Sequence, residues 1–358
     1  MPTINSPPIN GALQEDEMRL ERFEGCWTAM VTPLNRKGEV DFEGLEKNVR
    51  FQIENGANLV PTGTTGESPT LDWREHDRVI TKTVKLAKGN VFVMAGTGSN
   101  STKEALRGSK HAVEVGAQGV LLVDCYYNGP SSLELRTEYY EVIAKAFRRA
   151  FIMPYVVPGR TGTKLEVEDL AILHRKYKNV RSVKEATGDL ERMAKTRTLL
   201  GEDFDILSGD DDKTYDMMTR PDIRSSGVVS VMSNIVPGPI GEMVKAIRNG
   251  NMGKADRIKD VLDPLFKVVT VSTIESYEGF EVPAKFRNPL AIKTMMKGLG
   301  LPSGPCRQPL GKMTPKGVEA VRGALKAVYE KDKEILRPIQ DFYKINIEER
   351  LSNDKYWK

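Results

Sequence analysis

Gly119-Val120-Leu121-Leu122-Val123 carries no polar side chain on either face. Successive strand residues point to opposite sides, so a run that is apolar throughout is buried on both, as in a parallel sheet covered by helices. Similar short runs recur along the chain. They span Gly25 to Leu34, Asn58 to Gly66, Val91 to Gly98 and Phe151 to Pro158, and continue as Val180 to Thr187, Phe204 to Gly209 and Gly227 to Asn234. Between them lie helical patterns. Phe42, Leu45, Val49 and Ile53 form one apolar stripe closing at Gly56, and Val79, Ile80 and Val84 form another closing at Gly89. Ser101-Thr102-Lys103-Glu104 has the form of a capping box opening a third helix. Eight βα units in roughly 210 residues, with no dinucleotide glycine fingerprint, predict a (β/α)8 TIM barrel rather than a doubly wound sheet.

The domain boundaries expected are an N-terminal arm over residues 1–24, the barrel over 25–236 and a C-terminal helical region without further strands over 237–332. A charged, aromatic tail over 333–358 is expected to dock on a neighbouring subunit. The 358 residues carry a net charge of +4, too small and too dispersed to predict nucleic-acid binding. No run of about 18 apolar residues predicts a membrane span. Cys26, Cys125 and Cys306 are few and far apart, which suits a reducing, cytoplasmic setting without a disulfide framework. His76, His111 and His174 show no zinc-site spacing with them, so no metal is expected.

In such barrels chemistry gathers at the C-terminal ends of the strands. The sixth strand end reads Val180-Arg181-Ser182-Val183-Lys184-Glu185-Ala186-Thr187-Gly188. Ser182, Lys184 and Ala186 share one face, and the two small residues leave room beside the ammonium. A lysine forced into an apolar interior readily loses its charge, and the neutral amine forms Schiff bases with carbonyl compounds. A solvated lysine on an ordinary strand is the competing reading of this segment taken alone. The other ends supply Thr62-Gly63-Thr64-Thr65-Gly66-Glu67-Ser68, Tyr126-Tyr127-Asn128, Tyr155 with Pro158-Gly159-Arg160-Thr161-Gly162, and Ser208-Gly209-Asp210-Asp211-Asp212. Thr64 and Thr65, in a glycine-flanked turn, can form an anion nest. A phosphate cradle is the alternative, but the loop lacks the P-loop lysine. Tyr155 faces the barrel interior if Lys184 does, where its hydroxyl can pass protons; core packing is the plainer role for a strand-end aromatic. Arg160, on a turn, offers a fork for a carboxylate, although loop arginines are usually only solvated.

Four motifs in order, Gly63-Thr64-Thr65-Gly66-Glu67-Ser68, Tyr126-Tyr127-Asn128, Val157-Pro158-Gly159-Arg160-Thr161-Gly162 and Val183-Lys184-Glu185-Ala186-Thr187-Gly188, strongly resemble the dihydrodipicolinate synthase family. That family is part of the N-acetylneuraminate lyase superfamily of class I aldolase-type barrels. The resemblance covers about residues 25 to 330. It implies a Schiff base between Lys184 and pyruvate. It also implies a proton relay of Tyr155, Thr64 and Tyr127, the last supplied by an adjacent subunit of a homodimer or dimer of dimers. Arg160 matches the arginine that takes the carboxylate of aspartate semialdehyde, which sialic-acid lyases generally lack. Thr65, Gly209 and Val229 match positions bordering the pyruvate pocket. The implied product is 4-hydroxy-tetrahydrodipicolinate, on the way to lysine, with no cofactor. Ser68, Trp73, His76, Asn100, Glu104 and Tyr126 match an interface site that binds L-lysine as inhibitor in lysine-regulated relatives. The bland readings are that Glu104 only completes the capping box and that Trp73 only packs.

The chain departs from the family pattern in places. Asp124-Cys125 stands where Thr-Pro is common, and Val156 and Gly159 stand where Asn and Ser are usual, removing two polar groups near Arg160. A pyruvate-dependent aldolase or dehydratase for another aldehyde or a 2-keto-3-deoxy sugar acid is the alternative activity. A non-catalytic lysine-sensing paralogue is a third reading, against which the intact Lys184, Tyr155, Thr64 and Tyr127 argue.

Overall fold

The computed structural model describes residues 22–358. Residues 1–21, most of the expected arm, lie outside the described residues. Eight parallel strands make the barrel: β1 Gly25–Ala29, β2 Asn58–Val60, β3 Met94–Gly96, β4 Gly119–Val123, β5 Phe151–Val156, β6 Ser182–Glu185, β7 Asp205–Ser208 and β8 Gly227–Ser230. Their order is β2-β1-β8-β7-β6-β5-β4-β3. A parallel bridge between Leu59 and Val93 joins the two ends and closes the ring. Helices follow the strands, as the stripes predicted. Phe42–Glu54 buries Leu45 and Val49, and Trp73–Ala87 buries Val79, Ile80 and Val84.

The strand alternation sorts the side chains into two cores. Trp27, Ala29, Val60, Met94, Leu121, Met153, Tyr155, Leu207 and Val229 fill the barrel interior. Val120, Leu122, Ile152, Val156, Val183 and Ile206 face outward beneath the helices. Phe23 was expected in the arm, but it is fully buried and plugs the N-terminal end of the barrel edge-on to Phe151, with ring centroids 5.0 Å apart. Its amide donates to Asp205 at 2.9 Å, and Arg22 pairs with the same carboxylate at 2.7 Å. Arg22 and Phe23 therefore pack against the barrel just ahead of its first strand, which starts at Gly25.

The C-terminal region departs from the expectation of helices alone. Val271–Tyr277 (β9) and Phe280–Phe286 (β10) form an antiparallel hairpin. Its turn, Glu278-Gly279, has φ of +50° and +85°, the backbone that a two-residue hairpin loop of right-handed twist demands. The alternating residues around Glu-Gly carried this signal, but the helices on both sides masked it. Residues 333–358 pack on their own chain, with Phe342 and Tyr343 each 5.3 Å from Phe51. Trp357 is buried against Gly298, where a Cβ would lie 2.5 Å from the indole ring. No helix of the described residues is long and apolar enough to cross a membrane.

Candidate active site

Lys184 lies on β6 beside Tyr155 of β5, and the two are register partners. Its ammonium sits 4.1 Å from the centre of the Tyr155 ring, and the residue is only 5% exposed. Burial pulls its pKa from 10.5 down to about 8, against the pull of Asp210 and Asp211. Gly209, at the end of β7, is what makes room: a Cβ there would lie 2.7 Å from Ala186 Cβ and 3.0 Å from Lys184 Cε. Val229 closes the interior on the β8 side. Asp210 is pushed up to about 6, chiefly by burial and then by Asp212. Asp211 is spent on structure, accepting from Ser230 and from the amides of Val231 and Met232.

Tyr155 keeps its proton, burial raising it to about 12, while a hydrogen bond with the Thr64 side chain works the other way. The loop after β2 coils tightly. Gly66 donates to Gly63 at 3.1 Å and Glu67 to Thr64 at 3.1 Å, with Thr62 and Glu67 both left-handed. Among the described residues, the amides of Thr64 and Thr65 donate to no backbone acceptor, the disposition an anion nest needs. Thr65 is buried behind the loop.

Thr64, Tyr155 and Arg160 line one cavity of about 440 Å³ together with Ser68, Trp73, His76, Glu104 and Tyr126. The sequence assigned these eight to two sites; the chain brings them together in one recess. His76 is buried and neutral, its pKa lowered to about 4 by burial. Its Nε2 bonds the Gly96 carbonyl at 3.0 Å, so that nitrogen carries the proton, and its Nδ1 has no partner among the described residues. The capping box is only half made: the Ser101 hydroxyl accepts from the Glu104 amide, but the Glu104 carboxylate turns away to accept from Ser99 at 2.6 Å. Its carboxylate therefore belongs to the cavity rather than to the cap. Asn100 stands outside the lining and accepts from the Tyr126 amide at 2.6 Å. Tyr127 stands apart: it has φ of +77°, is 93% exposed and is not among the described residues that line the cavity.

The departures at residues 124, 156 and 159 have local explanations. The Asp124 carboxylate accepts from the Tyr140 hydroxyl at 2.5 Å and the Leu165 amide at 3.1 Å. Val156 faces the helices, not the cavity. Arg160 is braced instead by the Asn288 carbonyl at 3.0 Å, while Arg287 donates to the Gly159 carbonyl at 2.7 Å.

The sequence reading missed this C-terminal contribution. Asn288 also donates to the Thr65 hydroxyl at 3.0 Å. Lys293 pairs with Glu67 at 2.5 Å, both side chains only 2% exposed. The available signal was a lone lysine within Leu290-Ala291-Ile292-Lys293-Thr294-Met295-Met296, because unpaired lysines are almost never buried.

Comparison with known proteins agrees with the geometry. The model of the Dihydrodipicolinate synthetase family matches residues 22–328. The chain is 40% identical over 304 residues to the 4-hydroxy-tetrahydrodipicolinate synthase of Methanococcus vannielii, covering 85% of this chain and 98% of the relative. Among solved structures, dihydrodipicolinate synthase from Acinetobacter baumannii complexed with pyruvate superimposes with a TM-score of 0.76 at 33% identity, covering 85% of this chain and 98% of that one. DHDPS from Cyanidioschyzon merolae with lysine bound gives 0.77 at 33% identity, covering 86% and 98%.

Proposed function

The chain belongs to the dihydrodipicolinate synthetase family, and from that premise we propose that it is a 4-hydroxy-tetrahydrodipicolinate synthase, a lyase that condenses pyruvate with L-aspartate 4-semialdehyde. The observation that carries this reading is Lys184, buried at 4.1 Å from the Tyr155 ring and cleared by Gly209, next to a cavity that holds Arg160.

A lysine with a pKa of about 8 is neutral in about a tenth of molecules at pH 7. An ordinary lysine is neutral in about 1 in 3,000, so burial raises the supply of nucleophile about 300-fold. The amine adds to the pyruvate ketone, whose carboxylate rests on the Thr64 and Thr65 amides and the Thr65 hydroxyl. Tyr155, joined to Thr64, carries protons to and from the carbinolamine, and loss of water leaves the imine. Loss of a methyl proton gives the enamine, and its carbon attacks the aldehyde whose carboxylate Arg160 holds. The amine of the adduct then displaces Lys184, closing the ring and restoring the enzyme. Val229 and Gly209 shape the pocket around the keto acid.

Tyr127 completes the relay from a second subunit, its exposed, left-handed backbone holding it away from its own barrel. A homodimer, or a dimer of dimers, is then the working unit. L-lysine is the feedback inhibitor. Glu104 pairs with its ammonium, Trp73 packs on its stem, and Ser68, His76, Asn100 and Tyr126 complete the site. Cys26, Cys125 and Cys306 are free thiols, suited to the cytoplasm.

A coupled assay with pyruvate, aspartate semialdehyde and a dihydrodipicolinate reductase, with and without L-lysine, tests the proposal. Turnover suppressed by lysine is expected. Borohydride trapping of pyruvate on Lys184 without turnover would move the activity to another aldehyde or a 2-keto-3-deoxy sugar acid.

A further inference from the structure

Asn288 lies outside the barrel, in the segment joining the β10 strand to the helix Leu290–Leu299, yet it touches both carboxylate-binding groups. Its side-chain amide donates to the Thr65 hydroxyl at 3.0 Å. Its backbone carbonyl accepts from Arg160 at 3.0 Å. It is 7% exposed, and its Oδ1 has no partner among the described residues. One turn further on, Lys293 anchors the segment to Glu67, two residues beyond Thr65.

The direction of the first bond matters. A hydroxyl that accepts from an amide N–H keeps its own proton to give elsewhere. Among the described residues the Thr65 hydroxyl donates to no group. Its proton therefore remains available to an anion in the Thr64–Thr65 turn.

We propose that Asn288 is a positioning residue for the keto-acid carboxylate, orienting the Thr65 hydroxyl so that its proton faces the substrate. The inference rests on the reading that this turn holds the pyruvate carboxylate. It assigns separate duties to one residue: the side chain serves the keto acid, and the backbone serves Arg160 and the aldehyde.

The two duties can be separated by substitution. Asn288→Asp keeps the shape but replaces the donor with an acceptor, which captures the Thr65 proton and adds a negative charge. Asn288→Ala deletes the contact and keeps the carbonyl. Pyruvate is titrated against borohydride trapping on Lys184, read by intact mass, and steady-state KM is measured for both substrates. Losing one hydrogen bond to a charged ligand should raise the pyruvate half-point about tenfold in Asn288→Ala, and reversal of its polarity should raise it further, above about 30-fold, in Asn288→Asp. The KM for the aldehyde should stay within about twofold in both. A packing role would be rescued by the near-isosteric aspartate, so an Asn288→Asp enzyme with the wild-type half-point overturns the inference. Equal rises in both KM values overturn it as well. If Asn288→Asp does not fold, Asn288→Ala alone decides. Thr65→Val serves as reference: if it leaves the half-point unchanged, or if wild type is not trapped at all, the reading of the turn fails and the inference with it. A raised half-point in Thr65→Val with none in the Asn288 variants refutes only the role of Asn288.

Discussion

Replacing Lys184 with methionine should abolish imine formation and, at neutral pH, stabilise the protein. The folded state holds this lysine at a pKa of about 8, while in the unfolded chain it returns to 10.5. Between those values the unfolded chain binds more protons, so the lysine's contribution to stability rises with pH through that window and is at its worst below pH 8. That depression corresponds to a cost of about 3 kcal/mol at pH 7, falling to roughly half of it or less at pH 9.5. Solvent screens this charge little, because the residue is 5% exposed, and Asp210 and Asp211 offset only part of the cost of burying it. Methionine has a similar length and no charge to desolvate, so Lys184→Met should recover most of that cost. Urea unfolding of both proteins at pH 7 and pH 9.5 measures the gap at each pH. A gap that shrinks by about half is expected. A gap that is constant with pH, or a variant less stable than wild type at pH 7, would refute the claim that the native barrel strains against this charge.

Arg160→Ala should raise the KM for aspartate semialdehyde by about 10- to 100-fold, the worth of a charged hydrogen-bonded contact, and leave borohydride trapping of pyruvate intact; parallel loss of trapping would show that Arg160 serves both substrates. Glu104→Ala should abolish inhibition by L-lysine with turnover nearly unchanged, and an unaltered inhibition curve would remove Glu104 from the effector site. Lys293→Met leaves the buried Glu67 carboxylate without its cation, with only the Arg307 amide still donating to it at 2.8 Å, and should cost about 3–5 kcal/mol in urea unfolding. Adding Glu67→Gln should return most of that loss, and a single variant costing less than about 1 kcal/mol would mean that Glu67 finds water or another donor.

The sequence by itself determined the barrel, because its signals are local. Strands buried on both faces read as apolar runs such as Gly119–Val123, and their alternation places Ser182, Lys184 and Ala186 on one side whatever the rest of the chain does. Lys184, Tyr155, Thr64 and Arg160 were legible for the same reason: each sits at a strand end, where the fold collects chemistry. Glu104 could be read two ways from the sequence, since the same spacing serves a cap and a cavity; the 2.6 Å bond to Ser99 decided between them. The hairpin was hidden because short alternating strands between helices give a weak signal, and the contacts of the tail with Phe51 and Gly298 were not legible because aromatic residues declare a need for burial without naming the surface that meets it. Asn288 and Lys293 lie more than 220 positions from Thr65 and Glu67, and no periodicity reports a contact across that distance. Only the tertiary structure brings the C-terminal segment over the barrel mouth. There the cost of burying Lys293 and Glu67 is met by pairing them with each other.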